Sequence, residues 1–243
     1  MSTYAGTVIR RSSDPVTSRT DLDMTLHFGT PTCFYRDEMA EISSHMAACG
    51  FVGTSSFAEL DCSSVFRDIS PYLQQILLDV SNATAFFNQG FRIDPHMLQE
   101  IILSFGYRLV RFRPIGGALP RSKLDSVCHI ALTALTTTMF FQIGRRRFMQ
   151  YELVGQQLKE VVATGLDGVD PDIRLWLLFI GGVSVLPERE ESWLLDNILE
   201  VARVSGVGDW EDAHRRLMKF PWISSLYDLE AERFWYSSLR MGY

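Results

Sequence analysis

Residues 124–143 read LDSVCHIALTALTTTMFFQI, and this stretch decides the fold class. Its length and its apolar content predict a helix over about 123–143 that is largely buried. A helix that is apolar on most of its sides must be surrounded by other elements. We therefore expect the rest of the chain to supply a shell of helices around it.

Three further helix starts are marked by a capping side chain directly before a proline, which is favoured at the first helical position. They are Ser70-Pro71, Asp94-Pro95 and Asp170-Pro171. After the first two, apolar residues at helical spacing predict helices that end near Gly90 and just before Pro114. Similar signals predict helices at about 36–49, 148–164, 171–181 and 191–204, and two shorter ones that begin at Asp209 and Asp228.

Alternating apolar and polar runs, which would indicate strands, are nearly absent. The predicted fold class is all-α, a single multi-helix domain of about eight to ten helices over 31–243. Residues 2–20 are rich in Ser and Thr and hold few large apolar side chains. We therefore expect 1–30 to form an N-terminal arm that is partly ordered.

The charge of the chain argues against direct nucleic acid binding. Its 243 residues include 29 acidic and 23 basic side chains, which gives a net charge of −6. A domain whose affinity comes from neutralising phosphates carries the opposite sign. No membrane span is expected either, because the most apolar run, Leu175–Leu186, falls short of the ~20 residues that cross a bilayer. The start has no signal-peptide core, so we expect an intracellular protein, cytoplasmic or nuclear.

Neither a cofactor nor a metal is expected. The 4 cysteines form no CxxC pair, and the 5 histidines lie far apart, so no zinc-ligand spacing occurs. Motifs for dinucleotides, nucleoside triphosphates, zinc hydrolases and serine hydrolases are absent as well. Any chemistry of this chain is therefore expected to depend on its own side chains.

From about Leu124 onward the sequence resembles the C-terminal regulatory domain of fungus-specific transcription factors, the helical region that follows a zinc-cluster DNA-binding domain. The pieces that carry the resemblance are RLWLLFIGG at 174–182, EESWL at 190–194, GDWED at 208–212, and FPW at 220–222 before Phe234-Trp235. The resemblance implies a helical fold and a region that senses small molecules or partners.

The chain departs from that family at one point that matters for function. A zinc-cluster domain needs six cysteines that include CxxC pairs, and this chain has 4 cysteines and no such pair. We therefore expect no sequence-specific reading of DNA by the chain itself. It is left with the roles of a ligand-binding or catalytic domain.

The candidate site lies on the helix predicted for 123–143. At 100° per residue, His129, Thr133, Thr136 and Phe140 fall on one stripe. Polar groups on a buried helix must find hydrogen-bond partners. The threonines can bond to carbonyl oxygens one turn back in the same helix, or the stripe can line a mostly apolar ligand pocket. Both interpretations remain open from the sequence.

The pocket interpretation assigns a role to each residue. His129 is the first candidate catalytic residue, since an imidazole can donate to a carbonyl or accept from a hydroxyl near neutral pH. Tyr107 is the second, because its hydroxyl lies among apolar neighbours and needs a partner. The candidate substrate-binding residues are Thr133, Thr136, Gln142, Asn82 and Phe86.

Two functions fit this pattern. The first is a cofactor-independent cyclase or isomerase that acts on an apolar polyketide-like or terpenoid-like intermediate of fungal secondary metabolism; the metabolic setting comes from the resemblance alone. The second is a non-catalytic regulatory module without its own DNA reader, which senses a ligand or interacts with a protein, including as a homodimer. The absence of a DNA-binding domain favours the first, because a sensor alone needs a partner to act on.

Overall fold

The fold is known from a computed structural model, which describes residues 14–118, 122–140, 151–164 and 166–241. For 10–11, 142–143 and 146–147 it describes the backbone alone, and the same holds for Phe140 and Met241.

The described residues form ten α-helices, which confirms the all-α fold class. The helices are α1 Pro15–Phe28, α2 Met39–Ala48, α3 Pro71–Asn88, α4 Pro95–Phe112, α5 Lys123–Phe140, α6 Glu152–Ala163, α7 Pro171–Ser184, α8 Glu191–Ser205, α9 Trp210–Leu217 and α10 Ser224–Met241. Two 3₁₀ helices lie at Phe57–Glu59 and Glu188–Glu190. Strands β1 Arg10–Arg11 and β2 Phe34–Tyr35 pair in parallel, and β3 Gln142–Ile143 and β4 Arg146–Arg147 pair antiparallel.

The capping side chains that mark helix starts in the sequence act as expected. Each accepts a hydrogen bond from a backbone N–H of the first turn: Ser70 from Leu73, Asp94 from Met97, and Asp170 from Asp172. Each cap fixes the first turn of its helix. Two predicted boundaries are wrong: Gln142–Ile143, placed in the long helix from the sequence, belongs to β3, and the last helix begins at Ser224, four residues before the predicted start at Asp228. Of the helix start expected near 148, residues 148–150 lie outside the described residues.

The helix α1 lies inside the range that the sequence assigned to an N-terminal arm. Asp14 caps it by accepting from Val16 N and Thr17 N, the same signal of a capping residue before a proline that is found at the other starts. Its Leu22 and Leu26 are 0% and 1% exposed and belong to the same hydrophobic core as the other helices. The arm prediction is therefore corrected for 15–28, which packs as part of the helical domain.

The core is organised around α5 and α7. α5 packs against α3, α4, α6 and α7, and α7 packs in turn against α8, α9 and α10. Every residue from Ser126 to Thr138 is buried, as is every residue from Leu175 to Leu186. The most apolar run of the sequence is thus a core helix. None of the described helices has the length and apolar character that a membrane crossing requires.

Candidate functional site

The polar stripe of α5 is hydrogen-bonded almost entirely within its own helix. Thr133 Oγ1 donates to the His129 carbonyl and Thr136 Oγ1 to the Leu132 carbonyl, each at 2.8 Å. The next two threonines, 137 and 138, likewise donate to carbonyls three residues back. Of the two interpretations left open by the sequence, the threonines therefore follow the one in which they bond to their own helix.

His129 is the exception on this stripe. The ring is 0% exposed, and its Nε2 lies 3.0 Å from the carbonyl oxygen of Leu109 in the last turn of α4. A carbonyl only accepts, so Nε2 carries the proton and donates. In a neutral ring Nδ1 is then an acceptor, and it has no hydrogen-bond partner.

The charge state of His129 follows from its surroundings. Burial lowers its pKa from 6.5 to about 4 and the positive charge of Arg113 adds to that effect, whereas the hydrogen-bonding influence of the Leu109 and Arg113 backbone opposes it. The imidazole is therefore neutral near pH 7 and presents one buried lone pair, on Nδ1.

Arg113 lies beside His129 at the end of α4. Its backbone N–H bonds to the same Leu109 oxygen at 3.1 Å, so the arginine backbone and the imidazole meet at one atom. Only 6% of Arg113 is exposed. Nη2 donates to the Gly117 carbonyl, while Nε and Nη1 have no partner. Burial lowers the pKa of this arginine, and the charge of Glu160 opposes that effect.

The turn after α4 and helix α6 hold the Arg113 side chain in place. Arg113 precedes a proline and has extended backbone angles, φ −158 and ψ 128, which end the helix. Gln157 of α6, oriented with Oε1 toward this turn, accepts from Gly116 N at 3.2 Å and from Arg113 Nη2. Sequence reasoning missed Arg113 because an arginine at a helix end is usually solvated. The available signal was an arginine between an apolar helix and a proline.

Tyr107, the second candidate catalytic residue, lies at a different place. Its hydroxyl is 2.8 Å from the Ser18 carbonyl and 2.9 Å from Asp21 Oδ2, both on α1. Asp21 also accepts from the backbone N–H groups of Cys33 and Phe34. Burial and the Asp21 carboxylate raise the pKa of Tyr107. In this position the phenol joins α4 to α1 and to β2.

Asn82 and Phe86 lie on α3, also separate from His129. The Asn82 amide accepts from Thr54 N at 2.8 Å and donates to Thr54 O at 2.9 Å. It lines two surface clefts of about 360 and 280 Å³, and Thr54 lines both as well. The Phe86 ring is fully buried against Phe51 and Phe91.

The structure thus groups only part of the predicted site. His129, Thr133 and Thr136 lie together on α5, whereas Tyr107, Asn82 and Phe86 have partners elsewhere. The Gln142 side chain lies outside the described residues. Within the described ranges, no group of three His, Cys, Asp or Glu side chains is placed to hold a metal ion.

Comparison of the chain with protein families, with curated proteins and with solved structures finds no match in any of the three.

Proposed function

We propose that this chain is a non-catalytic ligand-binding module whose ligand lies between the end of α4 and α5, beside His129 and Arg113. One observation carries the proposal. Three of the four buried side-chain N or O atoms that lack a hydrogen-bond partner in the described chain belong to these neighbours, and the fourth is Trp235 Nε1. Buried polar atoms are nearly always paired, so unpaired ones on two residues that bond to the same Leu109 oxygen indicate a missing partner.

The surroundings fit a ligand better than a structural role for these atoms. Every threonine of the α5 stripe finds an acceptor in its own helix, so this region is able to satisfy its polar groups where no ligand is needed. Leaving a buried group unpaired costs about 1–3 kcal/mol, and more if it is charged. A bound molecule that accepts from Arg113 and donates to His129 Nδ1 removes that cost.

The resemblance to the regulatory domain of fungal transcription factors stays a prediction. It agrees with the proposal, because such a region is expected to sense small molecules or partners. Residues 174–182, which carry part of the resemblance, form the core of α7 and belong to the scaffold of the fold.

The cyclase or isomerase also stays a prediction, and one feature favours it: the free lone pair on His129 Nδ1. We prefer the non-catalytic module for a physical reason. A histidine whose pKa is about 4 is a weak general base near neutral pH. In addition, Tyr107 is already bonded to α1, so it brings no acid to the same place.

The proposal is tested by thermal unfolding of the full chain with a panel of small molecules: benzyl alcohol, cyclohexanol, indole and sodium benzoate. His129→Gln removes the ring acceptor at the Nδ1 position, replaces it with an amide oxygen at a different place, and keeps an N–H for the Leu109 carbonyl. Ser126→Ala is the control, since it removes a buried polar group one turn earlier on α5 whose own acceptor is Ser122.

We expect at least one compound to raise the melting temperature of the wild type and of Ser126→Ala, with affinity reduced about tenfold in His129→Gln, the loss of one good hydrogen bond. A panel without any stabilising compound, or equal affinity in His129→Gln, would contradict the proposal. Product formation from any of the compounds would favour the cyclase.

A further inference from the structure

We propose that Arg113 forms an oxyanion site, so that the ligand held between α4 and α5 carries a carboxylate or a phosphate group. This inference rests on the proposed function, because it names the chemical class of ligand for the same place. It starts from a difference between Arg113 and the other buried ionised side chains of the fold.

The fold pairs its other buried charges. Among the described residues, Glu100, Arg108 and Arg113 are the buried side chains that are ionised at neutral pH. Glu100 binds Arg36 through two hydrogen bonds, at 2.5 and 2.7 Å. Arg108 binds the Asp79 carboxylate at 2.5 Å and lies 3.8 Å from that of Asp37. Arg113 has no such partner, although all 29 acidic side chains of the sequence lie within the described ranges.

Only one of the three guanidinium nitrogens of Arg113 has hydrogen-bond acceptors. Nη2 faces two acceptors, the Gly117 carbonyl and Gln157 Oε1. Nε and Nη1 carry the other three of the five N–H donors, and none of these three has an acceptor. An arginine does not release its proton at any pH at which a protein is folded, so the charge remains. The unmet need is therefore both a negative charge and several acceptor oxygens.

The neighbouring charges do not meet this need. Glu160 acts on Arg113 but has an exposed side chain and forms no ion pair with it. The negative end of the α4 dipole offsets part of the charge, yet its Leu109 oxygen already accepts from Arg113 N and from His129. His129 is neutral and contributes no charge of its own.

An oxyanion supplies what is missing. A carboxylate or phosphate offers the charge and at least two acceptor oxygens, and arginine is the residue best suited to bind either group. A hydroxyl on the same molecule, including a P–OH group, can donate to His129 Nδ1. The ligand predicted from the sequence, a mostly apolar molecule, thereby gains an anionic end.

Nε and Nη1 are shielded from solvent, so an anion reaches them only when the chain around them moves. We expect the moving part to be the turn Arg113–Gly117, which lies next to the guanidinium. Two contacts close it: the Gly117 N–H to the Pro114 carbonyl at 3.2 Å, and the Arg113 Nη2 bond to the Gly117 carbonyl. Binding is therefore expected to be slower than diffusion.

The test measures the melting temperature of the full chain in sodium phosphate and, separately, in sodium benzoate, each against sodium chloride at equal ionic strength. Arg113→Met removes the charge and the donors but keeps an unbranched, flexible side chain. Arg111→Met is the matched control, because it makes the same charge change at the exposed end of the same helix. Arg113→Lys is the second variant, which keeps the charge but has three donors in place of five. The general salting effect of phosphate acts on all variants and is removed by difference.

We expect phosphate, benzoate or both to raise the melting temperature of the wild type by about 3 to 6 °C at ten times Kd. Arg111→Met should respond equally, Arg113→Lys less, and Arg113→Met not at all. The anion that acts identifies the group of the ligand. If Arg113→Met does not fold, an unchanged response in Arg113→Lys overturns the inference.

Other outcomes separate the inference from the proposed function. A wild type that responds to neither anion, or an Arg113→Met protein that responds fully, overturns the oxyanion site. If a neutral compound still binds in a His129-dependent way, the ligand-binding module stands without an oxyanion site. If no compound of either class binds, both fail.

Discussion

On the polar stripe of α5, some side chains have all their hydrogen-bond partners and one, His129, does not. Thr133 and Thr136 find acceptors within α5, because a threonine hydroxyl can donate to the carbonyl oxygen one turn back in its own helix. An imidazole is too large for that geometry, so His129 needs a partner from another helix and finds it at Leu109. The sequence predicted the stripe but not this division, because the division depends on where α4 ends.

The burial of His129 predicts how stability changes with pH. Its pKa in the folded chain, about 4, lies below the 6.5 of an unperturbed histidine. Folding lowers the pKa of this base, so the folded chain binds a proton less readily than the unfolded chain. The contribution of His129 to the stability of the native state is therefore greatest at pH values above 6.5, and it is lost as the pH falls from 6.5 towards 4. The difference between the two values corresponds to about 3 kcal/mol.

Urea unfolding of the wild type and of His129→Gln at about pH 7 and pH 4.5 measures this contribution. The wild type should lose more free energy of unfolding than the variant by about 2–3 kcal/mol, since all other titrating groups are shared. If both proteins lost the same free energy of unfolding, His129 would take up a proton as easily in the native state as in the unfolded chain. That result would contradict its burial between α4 and α5.

At the scale of elements, helix caps were the most informative part of the sequence. Ser70, Asp94 and Asp170 each mark a helix start because the cap and the proline act locally, within one turn. Asp14-Pro15 carries the same signal, but the Ser and Thr around it suggested an arm. Whether a helix docks depends on distant residues: Leu22 packs where Gly106 of α4 leaves room, since a Cβ at Gly106 would overlap the Leu22 side chain.

The docking of α1 is tested by Leu22→Ala, with Val16→Ala as the control on the same helix. Leu22 is 0% exposed and Val16 is 68% exposed. Truncation of a buried leucine costs about 2–5 kcal/mol, because apolar contact is lost and a cavity remains. The exposed change should stay within about 0.5 kcal/mol. Chemical denaturation of both variants measures the difference, and a small cost for Leu22→Ala would restore the arm interpretation of 1–30.

At the scale of the whole molecule, the contacts of Arg113 show why the candidate site could not be predicted from the sequence. The side chain is fixed by Gly117 on its own turn and by Gln157, which belongs to α6, the second helix further along the chain. No local pattern contains that contact. The all-α class needed only the helical periodicity of each segment, whereas the candidate site needed the packing of α4 and of α6 against α5.

One continuous core predicts that this chain unfolds in a single transition. The buried hydrophobic residues from α1 to α10 belong to one cluster, which includes Leu22 near one end and Trp235 near the other. Three tryptophans, Trp176, Trp222 and Trp235, are at most 1% exposed and all lie in the C-terminal half. Tryptophan fluorescence therefore reports on that half, while far-UV circular dichroism reports on every helix.

In urea the two signals should change at the same midpoint, as two-state unfolding requires. Chains of this size often populate intermediates, and independent halves would be visible as a fluorescence transition separated from the helical one. The Leu22→Ala protein sharpens the comparison, because its substitution lies far from every tryptophan in sequence. If the core is one cooperative unit, this change in α1 must lower the fluorescence midpoint as much as the helical midpoint. A shift confined to circular dichroism would show that α1 to α4 unfold apart from the rest.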